Sequence, residues 1–155
     1  MTCVVCATRG GEGSAAARLR AIQIASELDR PLLLLMVVDP EVLEGDHPGI
    51  RTALVRELEW TGRSLLHLAH ARAAQAGARV ETQLRTGRVR DEILQVLRER
   101  NAARLVLGAP RGSSANVFGD DEIERFAAEV QAATGVEVTV ARPEQPASGR
   151  RLVAG

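Results

Sequence analysis

Residues 3–19, CVVCATRGGEGSAAARL, put two chemical signatures side by side. Cys3 and Cys6 have the C-x-x-C spacing of a redox dithiol or of half a zinc site. Gly11, Gly13 and Ala16 spell G-x-G-x-x-A, the turn on which a dinucleotide's pyrophosphate meets a helix N-terminus. Farther on, His67 and His70 stand three apart, a spacing that lets two ligands share one helix face. Ser113 and Ser114 offer hydroxyls in the loop GSSAN, but a serine nucleophile needs an adjacent base, and the sequence identifies none.

These residues need a frame. The strand run CVVCA (3–7) is closed by glycines, and a helix follows from Ser14, a plausible N-cap, through Ala15, Leu19, Ile22, Ala25 and Leu28. PLLLLMVVD (31–39) is continuously apolar, as a strand covered on both faces should be. After the turn-rich segment 40–49, a long helix is predicted over 50–76, with Leu54, Leu58, Leu65, Leu68 and Ala69 apolar and Gly77 as its stop. A strand at 78–84, a helix carrying Val89, Ile93, Val96 and Leu97, and a strand at 103–108 come next. Asp120 or Asp121 is read as the cap of a last helix through Ile123, Phe126, Ala127 and Val130, ended by Gly135 before the strand VEVTV (136–140). The order βαβαβαβαβ calls for a parallel sheet with helices on both faces, in one domain over 1–142. Residues 143–155 have the composition of a flexible tail.

Composition narrows the chemistry. The formal charge is zero, from 20 basic and 20 acidic residues among 155, and aromatics make up only 2 %. Without a basic excess or stacking rings, nucleic acid is not an expected partner. Every basic residue is Arg, which excludes Schiff-base and P-loop lysine chemistry within this chain. The longest apolar run is too short to span a bilayer, so no membrane insertion is expected. No signal peptide is visible and there are two cysteines, which points to the cytoplasm.

Within that frame the two opening signatures weaken. Successive strand residues alternate faces, so Cys3 and Cys6 point to opposite sides of the sheet and cannot form a dithiol pair. A zinc site would need more ligands, and there is no third cysteine. The glycine fingerprint requires its first glycine at the strand end, but Thr8 to Gly10 separate Gly11 from it. The turn remains an anion site in principle, because backbone N–H groups and the helix dipole converge there. Asp39, at the end of the second strand, stands near where a ribose-binding acid would.

Four segments carry a broader resemblance. VVCATRGGEGSAAARLRAIQIA, LLLLMVVDP, TGRVRDEILQVLRERNAARLVLGAPRG and TGVEVTVARP resemble, in order and spacing, the strand–turn–helix opening, second strand, glycine-containing segment and closing strand of universal stress protein domains. The resemblance runs from residue 3 to residue 143. It implies an α/β, three-layer Rossmann-like fold of the adenine nucleotide alpha hydrolase-like type, with a five-stranded parallel sheet in order 3-2-1-4-5. It also implies a homodimer paired through the last strand, with Val136, Val138 and Val140 at the interface, and a regulatory role with an unidentified protein partner.

The same resemblance implies a nucleotide crevice built from Ala7, Thr8, Arg9, Gly10, Val38, Asp39, Gly108, Arg111, Gly112, Ser113 and Gly119. Arg9 stands where ATP-binding members carry an acid. Gly108 fits the first glycine of their G-x2-G-x9-G-[ST] motif, but Arg111 holds the second position, with Gly112 one place late. Asp120, not Ser or Thr, follows Gly119, with Asp121 and Glu122 behind it. Carboxylates near a triphosphate are unfavourable, since two like charges ~4 Å apart cost about 1 kcal/mol even in water. The expected function is therefore a stress-response binding module without the usual ATP binding, and with an adenine nucleotide as the candidate ligand. A weak ATP hydrolase or nucleotidyl transferase is the enzymatic alternative, and a small NAD-binding domain is a third reading.

Overall fold

A computed structural model describes residues 2–8, 12–42, 47–108 and 116–142, with the side chains of 12–14, 42 and 116–121 left aside. The tail 143–155 lies outside the described residues. Five parallel strands, β1 (Val4–Ala7), β2 (Leu32–Val38), β3 (Val80–Thr86), β4 (Arg104–Gly108) and β5 (Glu137–Ala141), form one sheet in the order β3-β2-β1-β4-β5. Four helices connect them: α1 (Glu12–Leu28), α2 (Pro48–Gln75), α3 (Val89–Glu99) and α4 (Asn116–Thr134). The expected fold class and strand order are therefore observed. None of the described helices is long and apolar enough to cross a membrane.

The sheet divides two apolar cores. Val4, Cys6, Leu32 and Leu34 pack with Ala17, Ala21 and Ile24 of α1 and Leu66, Ala69 and Ala73 of α2. Val5, Leu33, Leu35 and Leu105 pack with Ile93, Val96 and Leu97 of α3 and Val130 of α4. β2 is covered on both faces as its unbroken apolar run requires. Cys6 belongs to the first core and Cys3 to the second, so the period of two does separate the sulfurs. Gly77 and Gly135, each at positive φ, follow the last residues of α2 and α4, a conformation that glycine enters without a Cβ penalty.

Several boundaries and faces differ from the sequence reading. α1 begins at Glu12, so Ser14 lies inside the helix rather than at its cap. Its sheet-facing stripe is Ala17, Ala21, Ile24 and Ala25, while Leu19 is 62 % exposed. Small side chains let the helix lie close to the sheet, which hydrophobicity alone does not reveal. On α2 the buried residues are Gly62, Leu66, Ala69 and Ala73, and the expected core leucines 54, 58, 65 and 68 face outward. The third strand extends to Thr86, and β5 starts one residue after Val136. α4 begins at Asn116, four residues before Asp120, so its first turn contains no acidic residue. The acids at 120–122 thus do not cap this helix.

Candidate nucleotide crevice

In a parallel sheet all strand C-termini share one edge, and a crevice opens where neighbouring crossovers leave on opposite faces. Here that point lies between β1 and β4, since α1 belongs to the first core and α4 to the second. The register shapes the floor. Ala7, the last residue of β1, pairs with Leu35 and with Leu107. β2 therefore continues three residues beyond that level, to Val38, and β4 continues one, to Gly108. β1 is the recessed strand, and its exit at Thr8 is held by a Thr8 N–H donating to the Leu35 carbonyl at 2.8 Å.

The β2 exit is equally fixed. The Glu41 N–H donates to Asp39 Oδ1 at 2.9 Å, folding the short turn Pro40–Val42, and Arg51 of α2 donates to the Pro40 carbonyl at 2.9 Å. One oxygen of the proposed ribose acid is thus occupied in holding its own loop. Beside it, the Gly87 N–H donates to the Val38 carbonyl at 2.9 Å and joins the β3 exit to the same rim. A Cβ on Gly87 would come 2.7 Å from Glu92 Oε2. Glu92 has little room to retreat, because its Oε1 accepts from Arg85 Nε at 2.8 Å while Arg85 also reaches Glu99 at 3.2 Å. Glycine is needed there for space. The turn dipeptide TG at 86–87 is the sequence signal for this part of the rim.

Ala7, Thr8, Val38, Asp39 and Gly108 are accordingly brought to one edge by the fold. Arg9, Gly10, Arg111, Gly112 and Ser113 lie outside the described residues, as does Ser114. Gly119 is the fourth residue of α4, inside its first turn, so its backbone belongs to a helix N-terminus rather than to a loop. His67 is exposed and His70 half-buried on α2, and no group of three metal-ligating side chains occurs among the described residues.

The dimer residues are placed differently from one another. Val136 and Val138 pack into the core beneath α3 and α4, so an interface along β5 would use backbone groups rather than these side chains. The Val138 N–H donates to Gln131 Oε1 of α4 at 3.0 Å, which satisfies a donor that a pairing strand would otherwise use. Val140 is half-buried.

Burial pushes the Cys6 thiol up to about 12, with Arg18 opposing slightly, and burial likewise raises that of Cys3. Both therefore stay protonated thiols and are poor nucleophiles. A raised folded-state pKa adds stability that is complete below the ordinary thiol range and is lost as pH rises towards about 12. Native protein is expected to resist a disulfide reagent at pH 8 and to release two thiols only in denaturant. Rapid stoichiometric reaction of the native chain would contradict the buried assignment.

Comparison with known proteins returns the following. A sequence model described as the universal stress protein family matches residues 1–120. Among solved structures, the chain is similar to the universal stress protein UspA of Lactobacillus plantarum at 18 % identity and TM-score 0.76, over 91 % of this chain and 97 % of that one. A universal stress protein family member from Burkholderia pseudomallei shares 23 % identity with a TM-score of 0.65, over 91 % and 96 %. A family protein of Arabidopsis thaliana, solved with AMP bound, shares 17 % identity with a TM-score of 0.66, over 93 % of each chain. No curated protein matches the chain.

Proposed function

The chain belongs to the universal stress protein family, and from that premise we propose that it is a binding and regulatory module of the stress response rather than a catalyst. Its ligand is an adenine nucleotide with fewer phosphates than ATP. The observation that carries this reading is the recessed floor over β1, rimmed by Thr8, Val38–Asp39, Gly87 and Gly108 where the strand order reverses. The AMP-bound Arabidopsis relative supports the ligand class. Against a triphosphate stand Arg9 at the acid position of ATP-binding relatives and the displaced glycines at 112 and 119, the latter followed by three acids. The module works in the cytoplasm as a homodimer joined along β5, where Gln131 must release the Val138 N–H on pairing.

Parallel calorimetric titrations with AMP, ATP and NAD test this. AMP is expected to bind at least tenfold more tightly than ATP, without turnover of either, and NAD is expected to give no heat. Micromolar ATP binding with phosphate release would overturn it in favour of a weak hydrolase. Asp39→Ala is expected to weaken AMP binding while leaving the far-UV spectrum unchanged.

A further inference from the structure

All eight large hydrophobic side chains that stand exposed among the described residues lie on α1 or α2, and six of them lie on α2. Among the described residues the opposite helical layer presents none. On α2 they are not scattered. Leu54, Leu58, Leu65 and Leu68, with Thr61 between them and Arg72 after, recur at alternating steps of four and three, the spacing of a coiled-coil seam. The leucines are 37–54 % exposed, and the seam is separate from the Gly62–Leu66–Ala69–Ala73 stripe that faces the sheet. A helix apolar on two faces is built to be buried on both.

The charges around the seam bear on what could cover it. Arg18 of α1 lies close enough to Arg72 that, after burial, repulsion from Arg72 is the next cause lowering its pKa. Among the described residues neither arginine has a carboxylate partner. Glu57 flanks the seam in the other half of the helix, fifteen residues before Arg72, a separation of about 22 Å along one helix. The two cannot meet within a chain. When two copies of the helix run antiparallel with Leu58 against the partner's Leu68, Glu57 comes within one turn of the partner's Arg72, and the opposed dipoles are favourably aligned. The arrangement is isologous, so every contact occurs twice.

We propose that the outward seam of α2 is a self-docking surface that pairs antiparallel with α2 of a second copy, with Glu57 of each protomer against Arg72 of the other. This interface is separate from the β5 edge of the proposed homodimer and does not depend on it.

Sedimentation equilibrium on the full chain tests the proposal. Leu65→Glu with Leu68→Glu is expected to halve the assembly mass while leaving far-UV dichroism nearly unchanged, since neither side chain belongs to the buried core of the protomer. Glu57→Arg and Arg72→Glu should each weaken association at least tenfold, and the double reversal should restore it. That rescue excludes a merely structural effect. An unchanged mass in the leucine variant, or a double reversal that fails to restore association, would overturn the proposal. So would loss of binding to anionic phosphatidylglycerol vesicles without a change in mass, which would assign the face to a lipid surface. Val138→Pro separates the two interfaces: its failure to alter the mass removes the β5 reading and leaves the α2 result intact.

Discussion

Replacing Leu34 by Ala is expected to lower the free energy of unfolding by about 3–4 kcal/mol, the middle of the range for buried leucines. Leu34 is 1 % exposed at the middle of β2, paired with Cys6 on β1 and Thr82 on β3. Its side chain enters the core that α1 and α2 share, so both helices bound the cavity its removal would leave. Each helix is fixed by its other contacts to the sheet, through Ala17 and Ala21 on one side and Ala69 and Ala73 on the other. Neither can collapse into the space, and the cavity cost adds to the lost transfer energy. Urea unfolding of the two proteins measures the difference. A loss below about 1 kcal/mol would show that the site relaxes freely.

Gly62 gives the second large effect, and here two terms oppose each other. A Cβ on Gly62 would stand 2.9 Å from Leu84 Cδ1 and 3.0 Å from Met36 Sδ. Both neighbours are side-chain ends that can shift by a few tenths of an ångström. Alanine also gains about 1 kcal/mol over glycine in a helix interior. Gly62→Ala is therefore expected to fall within about 1 kcal/mol of the parent. Leucine cannot be absorbed that way, because its branch would occupy the volume of Leu84 and Met36 on two adjacent strands. Gly62→Leu is expected to cost about 2–3 kcal/mol as overpacking. The predicted lowering of the melting temperature is about 4–12 °C for a chain of this size. Equal stability of the leucine and alanine variants would mean that α2 can lift from the sheet at this point.

The arginine network around β3 shows how a rim residue is held by groups that the sequence scatters. Arg85, Glu92 and Glu99 come from β3 and α3, and together they leave no space for a side chain at Gly87. Arg100, just past the end of α3, and Glu81 of β3 form a further pair. Their spacing in sequence has no period that marks them as neighbours. Only the parallel packing of α3 against the sheet brings them together. The rim at Val38 consequently has a second support that nothing in the glycine motifs announces.

Hydrophobic continuity and punctuation were sufficient to establish a parallel α/β architecture, while the strand order was what the family resemblance implied. The unbroken apolar run of β2, the alternation of β3 and the glycines after α2 and α4 each act through local backbone sterics or burial, which the sequence expresses directly. The same period-two rule separated Cys3 from Cys6 and removed the redox reading without any coordinates. Helix faces were less legible. In α1 and α2 every leucine but Leu66 lies outward, and the sheet-facing stripes are mostly alanine and glycine, because close approach to a sheet selects for small volume as well as for apolar character. Periodicity cannot distinguish those demands when the helix is apolar on more than one face.

The sequence by itself determined a parallel α/β domain with a candidate crevice at its strand exits. Tertiary structure decided how deep β1 is recessed, which turn joins the rim, and which face of α2 is left uncovered. Those outcomes depend on register and on contacts between residues far apart in the chain, and local propensity carries no record of either.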